Sequence, residues 1–257
     1  MTKIKATFLG TGTSVGIPMV ACDCVVCRST DVRNKRTRTA FMFETQGKRV
    51  VIDTGPDFRQ QMLNAEVKTL DAVLITHQHN DHFIGMDDIR AFNFFQQKDM
   101  QVYASIPVQD TLKRVFDYVF QPIKHPGIPL ISLETISKEP FEVAGISVIP
   151  IEVIHYKLPV LGFRIGDLTY ITDASYIAPE EKEKIKGTKV LVVNALRKEK
   201  HISHFNLEEA LDLAAEMKPE QTYFTHISHQ LGLHEDIDKE LPDNVFLAYD
   251  GLEFELS

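Results

Sequence analysis

The chain has 257 residues, 44% hydrophobic and 25% charged, with a net charge of −8 at neutral pH. This size and composition allow a large core and predict one globular domain over residues 1–257. The acidic balance argues against a general nucleic-acid binder, and no apolar run reaches membrane-spanning length. Residues 1–9 predict a first strand, too short and interrupted for a signal peptide, so we expect a cytoplasmic protein.

The three cysteines of the sequence lie together as Cys22, Cys24 and Cys27. An odd number cannot pair fully into disulfides, and a reducing compartment disfavours disulfides in any case. Three thiolates at C-x-C-x-x-C spacing can hold one tetrahedral zinc ion and leave a fourth position to be filled. His229 is the candidate for that position, while free buried thiols remain the alternative.

Residues 48–53 predict a strand that delivers Asp53 at its end. We interpret Asp53 as orienting a ligand histidine by accepting its second ring N–H, with a plain turn aspartate as the alternative. The basic residues between Arg28 and Arg38 are open to two interpretations, attraction of phosphate or a solvated connection into the next strand. His234 lies in a polar stretch and is predicted at the surface.

An apolar run over residues 71–76 predicts a buried strand that ends at Thr76. A loop at a strand end can direct several side chains to one point, whereas a helix or a strand would separate them. Imidazole nitrogen and carboxylate oxygen are ligands that suit zinc, manganese or iron. The sequence therefore predicts a metal site in the H-x-H-x-D-H pattern that follows, formed by His77, His79, Asp81 and His82.

The middle of the chain alternates predicted helices and strands. They are a helix over 83–95, a strand over 100–104, an amphipathic helix over 107–120 and a hairpin over 141–154. A proline-rich loop, 121–129, contains His125, which is either a substrate contact or a solvated loop histidine. Asn206 and Glu209 fit a capping box at the start of a last helix, which Pro219 ends.

The pattern from His77 to His82, with Asp53-Thr-Gly55 before it, resembles the metallo-β-lactamase superfamily of hydrolases. The resemblance covers nearly the whole chain and implies an α/β fold, a four-layer αββα sandwich. It also implies two catalytic divalent metals, Zn or Mn. By this resemblance, His77, His79 and His155 hold one metal, Asp81, His82 and His226 hold the second, and Asp173 bridges them.

The cysteine cluster indicates one branch of this superfamily. C-x-C-x-x-C after the Gly-rich residues 10–18, with T-H-I-S-H-Q near the C-terminus, resembles the phosphoribosyl cyclic phosphate phosphodiesterases, in the branch related to tRNase Z. Those proteins carry a structural zinc, so we expect one on Cys22, Cys24, Cys27 and His229. A quinone-cofactor biosynthesis protein of the superfamily has a similar cluster, which leaves the substrate open. The phosphodiesterases also suggest a homodimer.

The expected reaction is hydrolysis of a small, preferably cyclic, phosphodiester by a hydroxide that bridges two metals. By the same resemblance, Asp81 orients this nucleophile and His204 protonates the departing oxygen, with His201 as its competitor. The sequence has no flexible arm like the one by which tRNase Z holds tRNA. This absence and the acidic charge make nucleic acid an unexpected substrate.

Two other classes of function stay open. The first is a thioester, lactone or lactam hydrolase on the same fold, since two metals and a hydroxide also serve carbonyl substrates. The second is a non-enzymatic protein of cofactor biosynthesis, stabilised by its metals. His204 and the cysteine cluster favour the phosphodiesterase over the first class, and the complete ligand set disfavours the second.

Overall fold

The computed structural model describes residues 3–122 and 126–257, so that His125 lies outside the described residues. The strands are β1 (Ile4–Gly10), β2 (Ala40–Thr45), β3 (Lys48–Ile52), β4 (Ala72–Leu74), β5 (Met100–Ala104), β6 (Ile131–Thr135), β7 (Phe141–Val143), β8 (Ile146–His155), β9 (Leu158–Ile165), β10 (Leu168–Tyr170), β11 (Tyr176–Ile177), β12 (Val190–Asn194), β13 (Gln221–Thr225), β14 (Val245–Leu247) and β15 (Glu253–Leu256). The α-helices are α1 (Val25–Arg28), α2 (Phe58–Asn64), α3 (Asn80–Phe83), α4 (Arg90–Gln96), α5 (Ile106–Val115), α6 (Pro179–Ile185), α7 (Leu207–Met217) and α8 (His234–Asp238). Short 3₁₀ segments occupy Val32–Asn34, Ile84–Ile89 and Asp117–Val119.

The strands form two sheets. The first has the order β15-β1-β2-β3-β4-β5-β6, and the second has the order β11-β8-β9-β10-β12-β13-β14, with β7 paired to β8. Strands β3 to β6 are parallel to one another, as are β10, β12, β13 and β14. Parallel neighbours end at the same edge of a sheet, which gathers the loops after them.

Alternation of side chains along the strands divides the core into three layers. In β2, Phe41 and Phe43 pack between the two sheets, whereas Met42 belongs to the layer under helices α2, α4 and α5. The layer between the sheets is rich in aromatic rings, and Phe41 stacks on Tyr170 of the second sheet at 4.8 Å between centroids. Helices α6 and α7 cover the other face of the second sheet. This arrangement confirms the predicted four-layer αββα sandwich.

The prediction of one continuous helix over 83–95 is wrong. Helix α3 ends at Phe83, a 3₁₀ segment follows, and α4 begins at Arg90. The cause is a close contact between two loops, because a Cβ on Gly85 would lie 2.0 Å from the carbonyl oxygen of Gly55. The Gly85 N–H also donates to the Thr54 carbonyl at 2.9 Å. This contact holds the loop after β3 against the H-x-H-x-D-H segment.

Other predicted elements are present with small changes of length. Strand β5 occupies the predicted residues, and α5 is shorter than predicted because a separate 3₁₀ turn follows it. The hairpin of β7 and β8 turns at Ala144-Gly145, where both residues have positive φ. Helix α7 begins with the predicted capping box between Asn206 and Glu209. In the part of the chain that the structure describes, no helix is long and apolar enough to cross a bilayer.

The prediction that His234 lies at the surface is wrong. His234 is 3% exposed, and its Nδ1 lies 3.0 Å from a guanidinium nitrogen of Arg36. Arg36 belongs to the basic stretch and is itself 3% exposed, and it donates to the Thr11 hydroxyl and the Ala248 carbonyl. These contacts join the N-terminal third of the chain to its C-terminal end.

Candidate metal centre

The predicted ligands follow the ends of strands from both sheets, at the edge where the parallel strands end. Strand β4 leads into the segment that starts at His77, and β8 ends on His155 itself. Asp173 comes three residues after β10, and His226 directly follows β13. The loops of the two sheets therefore meet at one edge of the sandwich.

The first group of side chains consists of His77, His79, His155 and Asp173. Each offers a ligand atom, and these four atoms lie within 4.8 Å of one another. Nε2 of His77 is 3.0 Å from Nδ1 of His79 and 3.7 Å from Oδ2 of Asp173. Nε2 of His155 is 3.8 Å from the same oxygen. Separations of this size suit donors that share one metal ion.

The second group also includes Asp173, together with His82 and His226. Nδ1 of His226 lies 2.9 Å from Oδ1 of Asp173, while Nε2 of His82 lies 3.5 Å from its Oδ2. Oδ2 of Asp81 is 3.3 Å from Nε2 of His82. One carboxylate thus lies between the two groups and belongs to both.

In His77 and His82, the ring nitrogen that faces away from Asp173 is Nδ1, and in each case it contacts a polar side chain. Nδ1 of His82 lies 2.6 Å from Asp53, whose carboxylate also accepts hydrogen bonds from the backbone and the hydroxyl of Thr76. The Thr76 hydroxyl in turn lies 3.0 Å from Nδ1 of His77. Such contacts fix the tautomer and orientation of a metal-binding imidazole. They leave the Nε2 atoms of both rings turned toward Asp173.

The charges of the centre depend on one another. Burial alone would lower the pKa of His82, but the carboxylates of Asp173 and Asp53 outweigh it and hold this pKa well above its ordinary value. Burial would raise the pKa of Asp173, but His226 and His82 hold it well below its usual range. Burial and the neighbouring His82 lower the pKa of His77. Nε2 of His82 is buried and has no hydrogen-bond partner among the described residues. Such an atom needs a partner, and a metal cation at this place would supply one by replacing the proton of this nitrogen.

Three residues of the centre have a left-handed backbone. The φ angles are 68° at Asp53, 55° at Asp173 and 54° at His226. This conformation is uncommon for residues other than glycine and tends to cluster at functional sites. Each follows the end of a strand, so the reversed φ turns the side chain inward at the point where the chain leaves the sheet.

A family model described as the beta-lactamase superfamily domain matches residues 48–227. The match covers more than half of the chain and includes all the His and Asp residues of both groups. The chain belongs to the beta-lactamase superfamily. Superfamily membership and the arrangement of the ligand groups together indicate a metal-dependent hydrolase.

Three individual proteins are similar to this chain. A solved diphosphatase from the PhnP family is 38% identical, covers 100% of this chain and 98% of its own, and superposes with a TM-score of 0.93. This chain thus also belongs to the PhnP family. An octanoyltransferase of Porphyromonas gingivalis (strain ATCC BAA-308 / W83) is 41% identical over 97% of this chain and 51% of its own length. A ribonuclease Z of Archaeoglobus fulgidus is 29% identical over 44% of this chain and 32% of its own length. The chain spans about half or less of the length of these two curated relatives.

Of the two candidate proton donors, His204 contacts the metal centre and His201 does not. The His204 ring stacks on His226 at 4.8 Å and lies 4.5 Å from His155, between centroids. Its Nδ1 is buried and has no partner among residues 3–122 and 126–257. Burial and the neighbouring His226 lower the pKa of His204 to about 3. His201 lies farther out, and its Nδ1 is 3.2 Å from the Ser203 hydroxyl.

The loop that carries His204 is tied to the first group of ligands. The carbonyl oxygen of Ser203 lies 2.7 Å from Nδ1 of His155, a distance at which the ring N–H donates to it. This hydrogen bond turns Nε2 of His155 toward Asp173 and holds the next residue, His204, beside the centre. One contact therefore orients a candidate ligand and a candidate proton donor together.

Thr13 also lies at the centre, although the sequence did not predict it there. Its hydroxyl lies 3.2 Å from Nε2 of His226, and its backbone N–H donates to the Ile227 carbonyl at 3.1 Å. Gly12 permits this approach, because a Cβ there would lie 2.9 Å from the Thr37 carbonyl. The Gly-rich opening of the sequence was the available signal, but it does not reveal which side chain points inward.

The cysteines and His229 form a separate cluster. Nδ1 of His229 lies 3.4 Å from Sγ of Cys22 and 3.3 Å from Sγ of Cys24. With Sγ of Cys27, these four ligand atoms lie within 4.8 Å of one another. Cys24 caps the N-terminus of helix α1, where its Sγ accepts a hydrogen bond from the Cys27 backbone N–H at 3.4 Å. One cation at the middle of this cluster would have four donors, and His229 lies only three residues after His226.

Proposed function

We propose that this protein is a dinuclear-metal phosphodiesterase whose substrate is a small, cyclic phosphodiester. One observation carries the proposal, the convergence of His and Asp side chains from three separate segments of the chain around the single carboxylate of Asp173. The convergent residues are His77, His79, Asp81, His82, His155 and His226.

The donor set fits two divalent cations. His77, His79 and His155 would hold one of them, and Asp81, His82 and His226 the other, with Asp173 shared. Nitrogen and oxygen donors in these numbers suit zinc or manganese. Bound there, two divalent cations would lower the pKa of water and balance the negative charge of a phosphodiester.

The chain itself would orient the nucleophile through Asp81. This carboxylate is 16% exposed, while its neighbour His82 is fully buried. It can therefore accept a hydrogen bond from an entering water molecule and direct the water's lone pair at phosphorus. The pKa of Asp81 lies below its usual range, since the attraction of His82 outweighs burial. The carboxylate is thus ionised and ready to accept that bond.

Release of the leaving group would depend on His204. Its ring lies between His155 and His226, so an ester oxygen at the centre comes within reach of its nitrogens. The lowered pKa leaves this imidazole neutral in the free protein. The negative charge of a bound phosphodiester would raise that pKa, and the protonated ring would then donate its proton to the oxygen as the P–O bond breaks. General acid catalysis of this kind contributes about 10²–10⁴-fold in rate. Phe205 donates to the Ala174 carbonyl at 2.6 Å, which fixes the loop beside the centre.

A structural zinc on Cys22, Cys24, Cys27 and His229 completes the proposal. The backbone N–H of Cys27 and the ring of His229 lower the pKa of the Cys24 thiol to about 6, whereas burial raises the pKa of Cys27 to about 11. Cys24 would enter the site as a thiolate, and zinc would displace the proton of Cys27. Because His229 belongs to the His226 loop, this zinc would tie the cysteine loop to the centre within a single domain.

The test is an activity panel with controlled metal content. We expect chelator-treated protein to be inactive and Zn²⁺ or Mn²⁺ to restore hydrolysis of bis-p-nitrophenyl phosphate and of a ribose cyclic phosphate. The same panel includes precursor tRNA, because ribonuclease Z is among the relatives. Turnover of neither phosphodiester by fully loaded protein would contradict the proposal, and cleavage of tRNA alone would replace its small substrate by RNA.

A second candidate is hydrolysis of an acyl thioester. The relative with 41% identity is named an octanoyltransferase, and an octanoyl group is an acyl group. A dinuclear centre can act on a carbonyl as well as on phosphorus. An octanoyl thioester belongs in the panel for this reason. If it turned over while both phosphodiesters did not, the second candidate would be preferred.

A further inference from the structure

The hairpin between β8 and β9 places an exposed ring directly beside the centre. His155 pairs with Leu158 across the hairpin, so Tyr156 and Lys157 alone form the turn. Tyr156 thus follows a candidate metal ligand, with about 3.8 Å between their Cα atoms. Its side chain is 53% exposed.

The backbone of Tyr156 makes its presence in this turn unexpected. Its φ angle is 59°, in the left-handed region. In two-residue hairpin turns, positions with positive φ are normally Gly, Asn or Asp, because a bulky L residue is unfavourable there. The turn is nonetheless held in place, since the Tyr156 N–H donates to the Ser175 hydroxyl at 3.3 Å. A residue that violates the local preference at the edge of a site points to a role for its side chain.

A cleft of about 460 Å³ lies between this turn and the loop that carries His204. His79 and His155 form its inner side, and Tyr156, Lys157 and Ile202 form its outer side. Ile202 is 70% exposed, two residues before His204. The cleft is large enough for a ligand and joins the centre to an apolar outer wall.

The outer wall combines an aromatic face with a cation. Nζ of Lys157 lies 5.2 Å from the centroid of the Tyr156 ring. Within residues 3–122 and 126–257, Lys157 forms no ion pair, although the protein as a whole carries a net charge of −8. One face of the ring is therefore covered by a cation, and the other remains for a planar group.

From these observations we infer that Tyr156, Lys157 and Ile202 form a subsite for the base of a nucleotide substrate, and this inference rests on the proposed phosphodiesterase function. The phosphate of the substrate would lie at the centre, beside His79 and His155. The planar base would stack on Tyr156 and contact Ile202, and the Lys157 ammonium would attract the anion as it enters. Base stacking on an aromatic side chain tolerates different bases, so the subsite selects nucleotides as a class.

The inference can be tested by binding, without turnover. Calorimetry on the metal-loaded protein would compare adenosine 5′-monophosphate with ribose 5-phosphate, which has a hydroxyl in place of the base. Removal of one stacking partner usually weakens binding about 5- to 150-fold. We expect adenosine 5′-monophosphate to bind more tightly by a factor in this range. Tyr156→Ala should abolish the difference, and Tyr156→Phe should retain it.

Two controls separate a binding role from a structural one. Tyr176 is 55% exposed, similar to Tyr156, and does not line the cleft, so Tyr176→Ala should keep the preference for the base. Tyr156→Gly removes the ring but suits a left-handed turn. It should lose the preference while melting at or above the temperature of the wild-type protein. A lower melting temperature with the base preference intact would assign Tyr156 a structural role.

The subsite would be overturned if the wild-type protein bound adenosine 5′-monophosphate and ribose 5-phosphate with equal affinity. It would also be overturned if Tyr156→Ala lost the same amount of affinity for both ligands. Failure of the proposed function would be distinguishable from these binding results, because the metal-loaded protein would then hydrolyse no phosphodiester. In kinetics, adenosine 2′,3′-cyclic phosphate and a methyl riboside 2′,3′-cyclic phosphate share the same reacting ring. Tyr156→Ala should raise KM for the first of them only.

Discussion

The carboxylate of Asp53 lies 2.6 Å from Nδ1 of His82, and both side chains are fully buried. The same carboxylate accepts two hydrogen bonds from Thr76 at 2.9 Å. Together these contacts fix the His82 ring so that Nε2 faces Asp173. Residues that hold a ligand from behind contribute to metal affinity, because they fix the tautomer and orientation of the ligand.

Replacement of Asp53 by asparagine should therefore weaken metal binding. Asp53→Asn keeps the shape of the side chain but removes the negative charge that holds the His82 N–H. The expected loss is about 10- to 100-fold in metal affinity, measured by competition with a chelating dye. Asp71→Asn is the matched control, since Asp71 pairs with Lys48 at the surface and should leave affinity unchanged. Unaltered affinity in Asp53→Asn would show that His82 needs no support.

Asp81→Ala should abolish turnover. Asp81 is the one carboxylate of the centre that is both partly exposed and adjacent to His82, so it can contact an entering water. We expect hydrolysis of bis-p-nitrophenyl phosphate to fall at least about 100-fold, with metal content measured on the same sample. Asp88→Ala, on the 3₁₀ segment, should stay active. Full turnover by Asp81→Ala would contradict the assignment of this residue.

Part of this centre could be predicted from local signals. The apolar run that ends at Thr76 and the H-x-H-x-D-H pattern after it predict a metal site, and the capping box from Asn206 to Glu209 is also local. His155, Asp173 and His226 are assigned only through the family resemblance, because a single His or Asp near the end of a strand forms no local pattern.

Contacts between distant parts of the chain could not be predicted in this way. Thr13 reaches His226 across more than two hundred residues, and Arg36 reaches His234 across nearly as many. No periodicity or turn signal encodes such a pairing, because it results from how the two sheets pack together. The left-handed turn at Tyr156 was missed for a related reason, since its residues do not belong to the usual turn formers.

Cys24→Ser should remove one metal ion per chain and lower the melting temperature. A structural zinc contributes directly to the free energy of folding, and a serine hydroxyl is a poor ligand for it. Elemental analysis and thermal unfolding measure the two effects. Val25→Ala is the control, because Val25 is adjacent, 67% exposed and offers no ligand. Unchanged metal content in Cys24→Ser would refute the site.

Acid should destabilise the protein partly through His234. Burial and the neighbouring Arg36 lower the pKa of His234 to about 4, and Arg33 adds to this shift while Asp238 and Asp31 oppose it. The unfolded chain has the ordinary value of about 6.5. Between these values only the unfolded state gains a proton, so the free energy of unfolding falls as pH falls through this range. The contribution lost on going from pH 7 to pH 5 is about 2 kcal/mol.

Comparison with His234→Asn isolates this contribution, because ligand histidines also take up protons in acid. Asparagine retains an oxygen acceptor for Arg36 but does not titrate. Urea unfolding at pH 7 and pH 5 should show that the variant loses less stability than the wild-type protein, by up to about 2 kcal/mol. Equal losses in both proteins would mean that folding does not lower the pKa of His234.

Loss of His204 should affect substrates in proportion to the proton demand of their leaving group. A sugar hydroxyl is a poor leaving group as an alkoxide and requires protonation in the transition state. p-Nitrophenoxide is a stable anion and needs little help. We expect His204→Ala to retain its metals. Its rate of hydrolysis should fall about 100-fold or more on a ribose diester and much less on a p-nitrophenyl diester.

His201→Ala supplies the matched control for this prediction. His201 lies on the same loop, with its ring centroid 5.2 Å from that of His204, but its Nδ1 is next to Ser203 rather than the centre. Its removal should change neither rate by much. If His204→Ala lost equally on both substrates, the ring would have to act by positioning the phosphate or supporting His226, on which it stacks. The proton would then have to come from another group, because only a proton donor gives a loss that depends on the leaving group.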